Sequence, residues 1–229
     1  MNASEAQQSV VVPVGSVALE GDLSIPNSAG GLVLFAHGSG SSRKSPRNRF
    51  VAHVLRRNGL GTLLFDLLTV DEEREDEIDA RLRFDIPLLA ERLGAVTAWV
   101  RRDRRMGHLP IGYFGASTGA AAALIAAAES PGDVGAVVSR GGRPDLAGRS
   151  LSRVRAPTLL IVGGADTVVL ELNREALGFI DAPKDLAIVP GATHLFEEPG
   201  TLDEAARLAA AWFTEHLLRS SPTAQPSPP

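Results

Sequence analysis

The sequence predicts an α/β fold built on one mostly parallel sheet, and three observations carry that prediction. Six short apolar runs recur at residues 32–36, 61–65, 111–114, 134–138, 158–162 and 185–189. Longer amphipathic segments separate them, at roughly residues 46–57, 86–102, 118–128, 170–180 and 202–218. Two β-rich runs, 10–14 and 17–25, meet at Gly15-Ser16 and read as an antiparallel hairpin at the start of the chain. Alternating strands and helices place helices on both faces of a sheet whose parallel strands are buried on both sides.

The elements come with their own start and stop chemistry. Ser45 before Pro46 sets a capping hydroxyl ahead of a proline that is tolerated at the first helical position. Thr201 and Glu204 have the spacing of a capping box. The acidic run at residues 71–77 reads as a solvated loop or helix start. The cations at 101, 102, 104 and 105 sit where the long helix ends and offset its dipole.

At 229 residues, 44% apolar and 22% charged, the chain fits a single domain over residues 1–219, with a Ser/Pro-rich tail over 220–229 expected to be disordered. A domain of this size builds its core without metal or disulfide staples. The cysteine count is zero, which excludes disulfides, thiolate metal sites and a thiol nucleophile together. With 23 basic against 27 acidic residues, the net charge of −4 argues against nucleic acid as a partner. The polar start of the chain lacks the pattern of a secretory signal, and no apolar stretch is long enough to span a membrane. A cytoplasmic protein is expected.

One segment carries chemistry: Gly115-Ala116-Ser117-Thr118-Gly119, between the run 111–114 and the helix beginning at Thr118. This is G-x-S-x-G in the strand-to-helix context that gives the motif its meaning. The sharp turn strains the serine backbone and aims its hydroxyl out of the top of the sheet. A bland alternative is that Ser117 serves only as the N-cap of the helix.

A serine hydroxyl becomes a nucleophile only when a base takes its proton. Of the five histidines, His194 follows the last strand on the loop Gly191-Ala192-Thr193-His194 and is the expected base. His37 is the serious rival. Asp166, directly after the run 158–162, is the expected orienting carboxylate, with capping of the next helix as its bland role. Glu171 and Glu197 are fallback acids. For the oxyanion, the backbone N–H of Thr118 and that of Ser39 in His37-Gly38-Ser39-Gly40 are the expected donors. His37 then ties down this loop by hydrogen bonds, and His37 and Gly38 line the substrate site.

These four segments, HGSG at 37–40, GASTG at 115–119, GGAD at 163–166 and GATH at 191–194, resemble the α/β-hydrolase superfamily across nearly the whole chain. The small size, with no large cap domain, is similar to the dienelactone hydrolase-like branch. Those enzymes carry a cysteine nucleophile where this chain has Ser117. Residues 82–93 and 139–145 also look like small bacterial hydrolases sometimes fused to phosphoribosyltransferases.

The expected activity is hydrolysis of small carboxylic esters through an acyl-enzyme, without cofactor or metal. The alternatives are a thioesterase, acyltransferase or peptidase on the same triad, or a non-catalytic binding protein that keeps the scaffold. Arg140 falls at the active-site edge of the sheet, where it either receives an anionic substrate or pairs with Asp145. Arg43 is a weaker candidate for the same task.

Overall fold

A computed structural model describes residues 7–218, and the tail expected over 220–229 lies outside them. The opening hairpin forms as β1 (Gln8–Val14) and β2 (Val17–Ser24), antiparallel, with Val14 opposite Val17. There follow β3 (Gly31–Ala36), α1 (Pro46–Arg57), β4 (Leu60–Phe65), α2 (Val70–Asp79), α3 (Ile86–Arg102), β5 (Ile111–Ala116) and α4 (Thr118–Glu129). The chain continues through β6 (Val134–Arg140), β7 (Thr158–Gly163), α5 (Thr167–Leu177), β8 (Lys184–Val189) and α6 (Thr201–Phe213).

All eight strands join one sheet in the order β1-β2-β4-β3-β5-β6-β7-β8. It is antiparallel from β1 to β4 and parallel from β4 onward. Every residue of β3, β4, β5 and β7 is buried, because helices cover both faces. Leu34, Leu63 and Tyr113 pack toward α3 and α4, whereas Phe35, Phe114 and Val138 pack toward α1 and α6. The alternation along each strand explains why neighbouring residues feed different cores.

Two expectations need correction, and a third is settled between its alternatives. The run ending in β8 is not buried on both faces, since β8 is the last strand of the sheet and most of its residues are exposed or half-buried. The capping box at Thr201 and Glu204 does not form. Gly200, in the left-handed conformation, starts α6 instead, and the Thr201 hydroxyl donates to the Glu198 carbonyl at 2.7 Å. The acidic run takes the second of its two expected forms, the start of a helix, with a capping box of its own: Thr69 Oγ1 accepts from Glu72 N at 3.2 Å and Glu72 Oε2 accepts from Thr69 N at 2.8 Å. The cap at Ser45 forms as expected, its hydroxyl accepting from Asn48 N at 3.4 Å.

What fastens α2 to the domain is charge. Arg92, on α3 and 5% exposed, reaches both oxygens of the Glu72 carboxylate and donates to the Leu67 carbonyl at 2.7 Å. The Arg92 hydrogen bond, helped by Thr69, pulls the Glu72 pKa from an ordinary 4.5 to about 2. A carboxyl depressed in the folded state stabilises fully above the unfolded value, and that contribution is lost as pH falls from 4.5 toward about 2. Glu72→Gln should lower urea-measured stability at pH 7 and flatten its pH dependence across that window. An unchanged slope would show that the pair does not hold the helix.

Candidate active site

Ser117 occupies the turn from β5 to α4 with φ 50° and ψ −123°, a conformation that side chains rarely adopt. Strain of this kind costs about 1–3 kcal/mol and persists only where the surroundings enforce it. Here they do. A Cβ on Gly119 would lie 2.2 Å from the Ala36 carbonyl oxygen, and one on Gly115 would lie 2.4 Å from Ala120 Cα. The helix therefore starts in backbone contact with both β5 and the end of β3.

The N-cap reading of Ser117 fails on geometry, because its side chain makes no capping hydrogen bond. Its backbone is tied instead: Ser117 N donates to the Arg140 carbonyl at 3.3 Å, and its own carbonyl accepts from Ala120 and Arg143, both at 3.1 Å. The hydroxyl is left uncommitted at the N-terminus of α4, where orphan N–H groups and the helix dipole favour developing negative charge.

Asp166 and His194 come from separate loops that are stitched together. Ala165 N donates to the Ala192 carbonyl at 2.9 Å and Gly164 N to the Val189 carbonyl at 2.8 Å. This contact requires glycine at 163, where a Cβ would fall 2.3 Å from the Ala192 oxygen. The result is a 2.7 Å hydrogen bond between His194 Nδ1 and Asp166 Oδ2, with the Asp166 side chain mostly covered. Asp166 makes no side-chain cap to α5, so its carboxylate is spent on the imidazole. With Nδ1 facing the carboxylate, Nε2 is the nitrogen available to accept a proton. Thr193 steadies the loop through Glu198, which accepts from its N–H at 3.0 Å and its hydroxyl at 2.6 Å.

The turn carrying Ser117 and the loop carrying His194 meet at Gly141. Its neighbour Arg140 accepts the Ser117 N–H, while a Cβ on Gly141 would sit 3.1 Å from the His194 carbonyl oxygen and 3.7 Å from His194 Nδ1. Sequence reasoning missed Phe196, which locks this loop from below. Phe196 adopts φ 57° and buries its ring to 2% exposure. The available signal was an aromatic residue two positions past His194, in a loop with no other aromatic side chain apart from the histidine itself.

His37 cannot act as the base. Nε2 accepts from Leu67 N at 3.0 Å, which puts the proton on Nδ1, placed 3.0 Å from the Gly38 carbonyl. Burial further lowers its pKa and keeps it neutral. The loop it holds lies directly against the turn that carries Ser117, since a Cβ on Gly38 would approach Ser117 Cβ to 2.9 Å. Beyond that loop a cavity of about 360 Å³ is lined by Ser39, Gly40, Leu67, Leu68 and Leu89, with Glu73 and Glu77 from α2 on its wall.

Three expected roles meet a different geometry. The Ser39 N–H, expected to be an open oxyanion donor, already donates to the Thr118 hydroxyl at 2.9 Å, because the first turn of α4 brings that hydroxyl up beneath the loop. Arg43 is no anion receptor, because Asp66 and Glu20 neutralise it and its backbone N–H donates to Asp66 at 2.7 Å. Nor does Arg140 pair with Asp145, which takes Arg143 at 2.7 and 2.9 Å.

Comparison with known proteins agrees with this fold. No family model matches the chain. A crystal structure of a dienelactone hydrolase from Anabaena variabilis is 58% identical, with TM-score 0.91, covering 93% of this chain and 98% of that one. The chain therefore belongs to the dienelactone hydrolase-like branch of the α/β-hydrolase superfamily. An esterase of Pyrococcus furiosus (18% identity, TM-score 0.74, 93% and 94% coverage) shares the fold. So does an alpha-beta serine hydrolase homologue from Coxiella burnetii (21%, 0.71, 93% and 97%). Two curated proteins from strains of Mycobacterium tuberculosis, which bear a provisional phosphoribosyl transferase name, are 57% identical over 216 residues. The match covers 94% of this chain but 48% of theirs, so the chain spans about half the length of these relatives. Among the described residues, no helix is long and apolar enough to cross a membrane.

The clearance around the elbow can be tested directly. Gly119→Ala drives a methyl group into the Ala36 and His37 carbonyl oxygens, neither of which can yield without moving β3. It should cost about 3 kcal/mol or more in urea unfolding, at the upper end of overpacking effects. A loss under about 1 kcal/mol would mean that the contact relaxes freely.

Proposed function

We propose that the protein is a serine hydrolase that cleaves small carboxylic esters through an acyl-enzyme. The observation that supports this best is the uncommitted Ser117 hydroxyl on a strained elbow, combined with an aspartate-oriented imidazole, His194 with Asp166 at 2.7 Å, on a loop that reaches the same Arg140-Gly141 segment. In the proposed cycle His194 Nε2 takes the Ser117 proton as Oγ attacks the ester carbonyl. Asp166 stabilises the imidazolium without becoming protonated. The tetrahedral oxyanion is received by the Thr118 N–H, which heads α4 and has no preceding turn to bond. Ser39 N–H joins it when the Thr118 hydroxyl rotates away. Collapse breaks the ester bond, His194 returns its proton to the departing alcohol, and water repeats the sequence to free the acid.

The absence of a large cap favours small, accessible esters. The similarity to a dienelactone hydrolase from Anabaena supports the same reading, since a lactone is a cyclic ester. The transferase name of the mycobacterial proteins belongs to chains about twice as long, and the half they share with this chain is the hydrolase-like one. Thioester, amide and acyl-transfer chemistry on the same three residues are outcomes for a substrate panel to separate. A binding protein without turnover is the remaining contrast.

Ser117→Ala should lower kcat/KM on short-chain esters by about a thousandfold or more, since the triad acts as a unit. A fluorophosphonate probe should add a single adduct to the wild-type protein and none to the variant, read by intact mass. Near-wild-type hydrolysis by the variant would remove Ser117 from the mechanism, and no adduct on the wild type would favour the binding protein.

A further inference from the structure

Asp166 stands at the head of α5, and Asn173 follows two helical turns later on the same side of that helix. Glu171 and Arg174 pair at the surface of α5, whereas Asn173 between them is fully buried. Its side-chain nitrogen donates to the Val169 carbonyl at 2.7 Å within the helix and to the Gly142 carbonyl at 2.9 Å outside it. Both partners are acceptors, so the NH2 end of the amide faces them, and Oδ1 is left enclosed without a partner. An amide whose own oxygen is buried unpaired contributes little net stability, and leucine fills a similar volume with no polar atom to satisfy.

What the amide supplies is direction. Gly142 belongs to the segment 140–143 after β6, and both halves of the site rest on that segment. The Arg140 carbonyl accepts the Ser117 N–H at 3.3 Å, and Arg143 N donates to the Ser117 carbonyl at 3.1 Å. Gly141 N donates to the Ile161 carbonyl of β7 at 2.8 Å, and a Cβ there would meet the His194 carbonyl oxygen at 3.1 Å. Gly142 itself is pressed against the first turn of α4, since its Cβ would fall 2.6 Å from Ala120 Cβ. The Arg140 guanidinium lies apart from these contacts, buried against the Phe196 ring at 5.5 Å. Asn173 thus ties the helix that begins at Asp166 to the backbone that supports Ser117.

We propose that Asn173 is a positioning residue for ester cleavage, acting through the Gly142 carbonyl to fix the Ser117 turn relative to the Asp166–His194 pair. Proton transfer from Ser117 to His194 tolerates little misplacement, and an error of about 1 Å costs about a hundredfold in rate. This role rests on the serine hydrolase reading.

Two variants test it. Asn173→Leu removes both hydrogen bonds at similar volume. Asn173→Ser keeps a hydroxyl that can bond the Val169 carbonyl four residues back but falls short of Gly142. Each is assayed on short-chain esters well below its unfolding transition, with urea stability measured alongside. In both, kcat and kcat/KM should fall together by about tenfold to a hundredfold, with KM within about twofold of wild type. The rate of fluorophosphonate labelling at Ser117 should fall in step. The low-field proton resonance of His194 Nδ1–H should persist, because the loops bearing Asp166 and His194 are joined by backbone bonds that do not involve Asn173. Folded variants with wild-type kcat would overturn the role, whatever their stability. Loss of the His194 resonance would overturn it too, since the acid–base pair itself would then have come apart. Failure of both variants to fold would make Asn173 a residue of the fold and not of the site. A wild-type protein that neither hydrolyses esters nor takes the probe would sink the hydrolase reading and this role with it, whereas active wild type beside equally active variants sinks the role alone.

Discussion

The structure hangs on a close backbone approach at the top of β5. For α4 to start where it does, the chain must reverse through Ser117 at positive φ while Gly119 passes 2.2 Å, measured from a hypothetical Cβ, from the Ala36 oxygen. Nothing larger than hydrogen fits there. That single constraint fixes the serine on a half-buried bend and brings the loop after β3 against it. It also gives the start of α4 a fixed direction relative to the sheet, so the nearby N–H groups are oriented before any ligand arrives.

The rest of the site is held by loops that brace one another. The loop after β7 lends Asp166 to the loop after β8, and the backbone bonds between them keep the imidazole in one tautomer and one orientation. Phe196 anchors that loop from beneath, and the same ring is what Arg140 lies against. His37 performs the matching task on the other side, spending both nitrogens to hold the loop that carries Ser39. α2, a short acidic helix with few apolar residues of its own, is kept in place by Arg92 and forms a wall of the adjoining cavity. Packing therefore supplies the scaffold, while paired charges and hydrogen bonds set the loops upon it.

Much of this was legible from residues alone, because the signals are local. The apolar runs map onto strands to within a residue or two, since parallel strands buried on both faces are built mainly of apolar side chains. Helix α2 stayed undecided between a loop and a helix start because its polar sequence carries no apolar stripe; the capping box at Thr69 and Glu72 was the usable sign. The capping box at Thr201 and Glu204 was a false sign, as Gly200 takes the cap position through a left-handed backbone that spacing does not reveal.

By itself the sequence determined the order of elements, the strained turn of Gly115-Ala116-Ser117-Thr118-Gly119 and the residue types available for proton transfer, all of which depend on near neighbours along the chain. Only the tertiary structure decided which partner each polar group finds. It gave Asp145 to Arg143, Asp66 to Arg43 and the Ser39 N–H to Thr118, and it left Arg140 buried without a carboxylate. The physical reason is range. Backbone conformation follows from sterics over a few residues, but the pairing of charges and donors depends on which distant loops fold to within about 3 Å of one another.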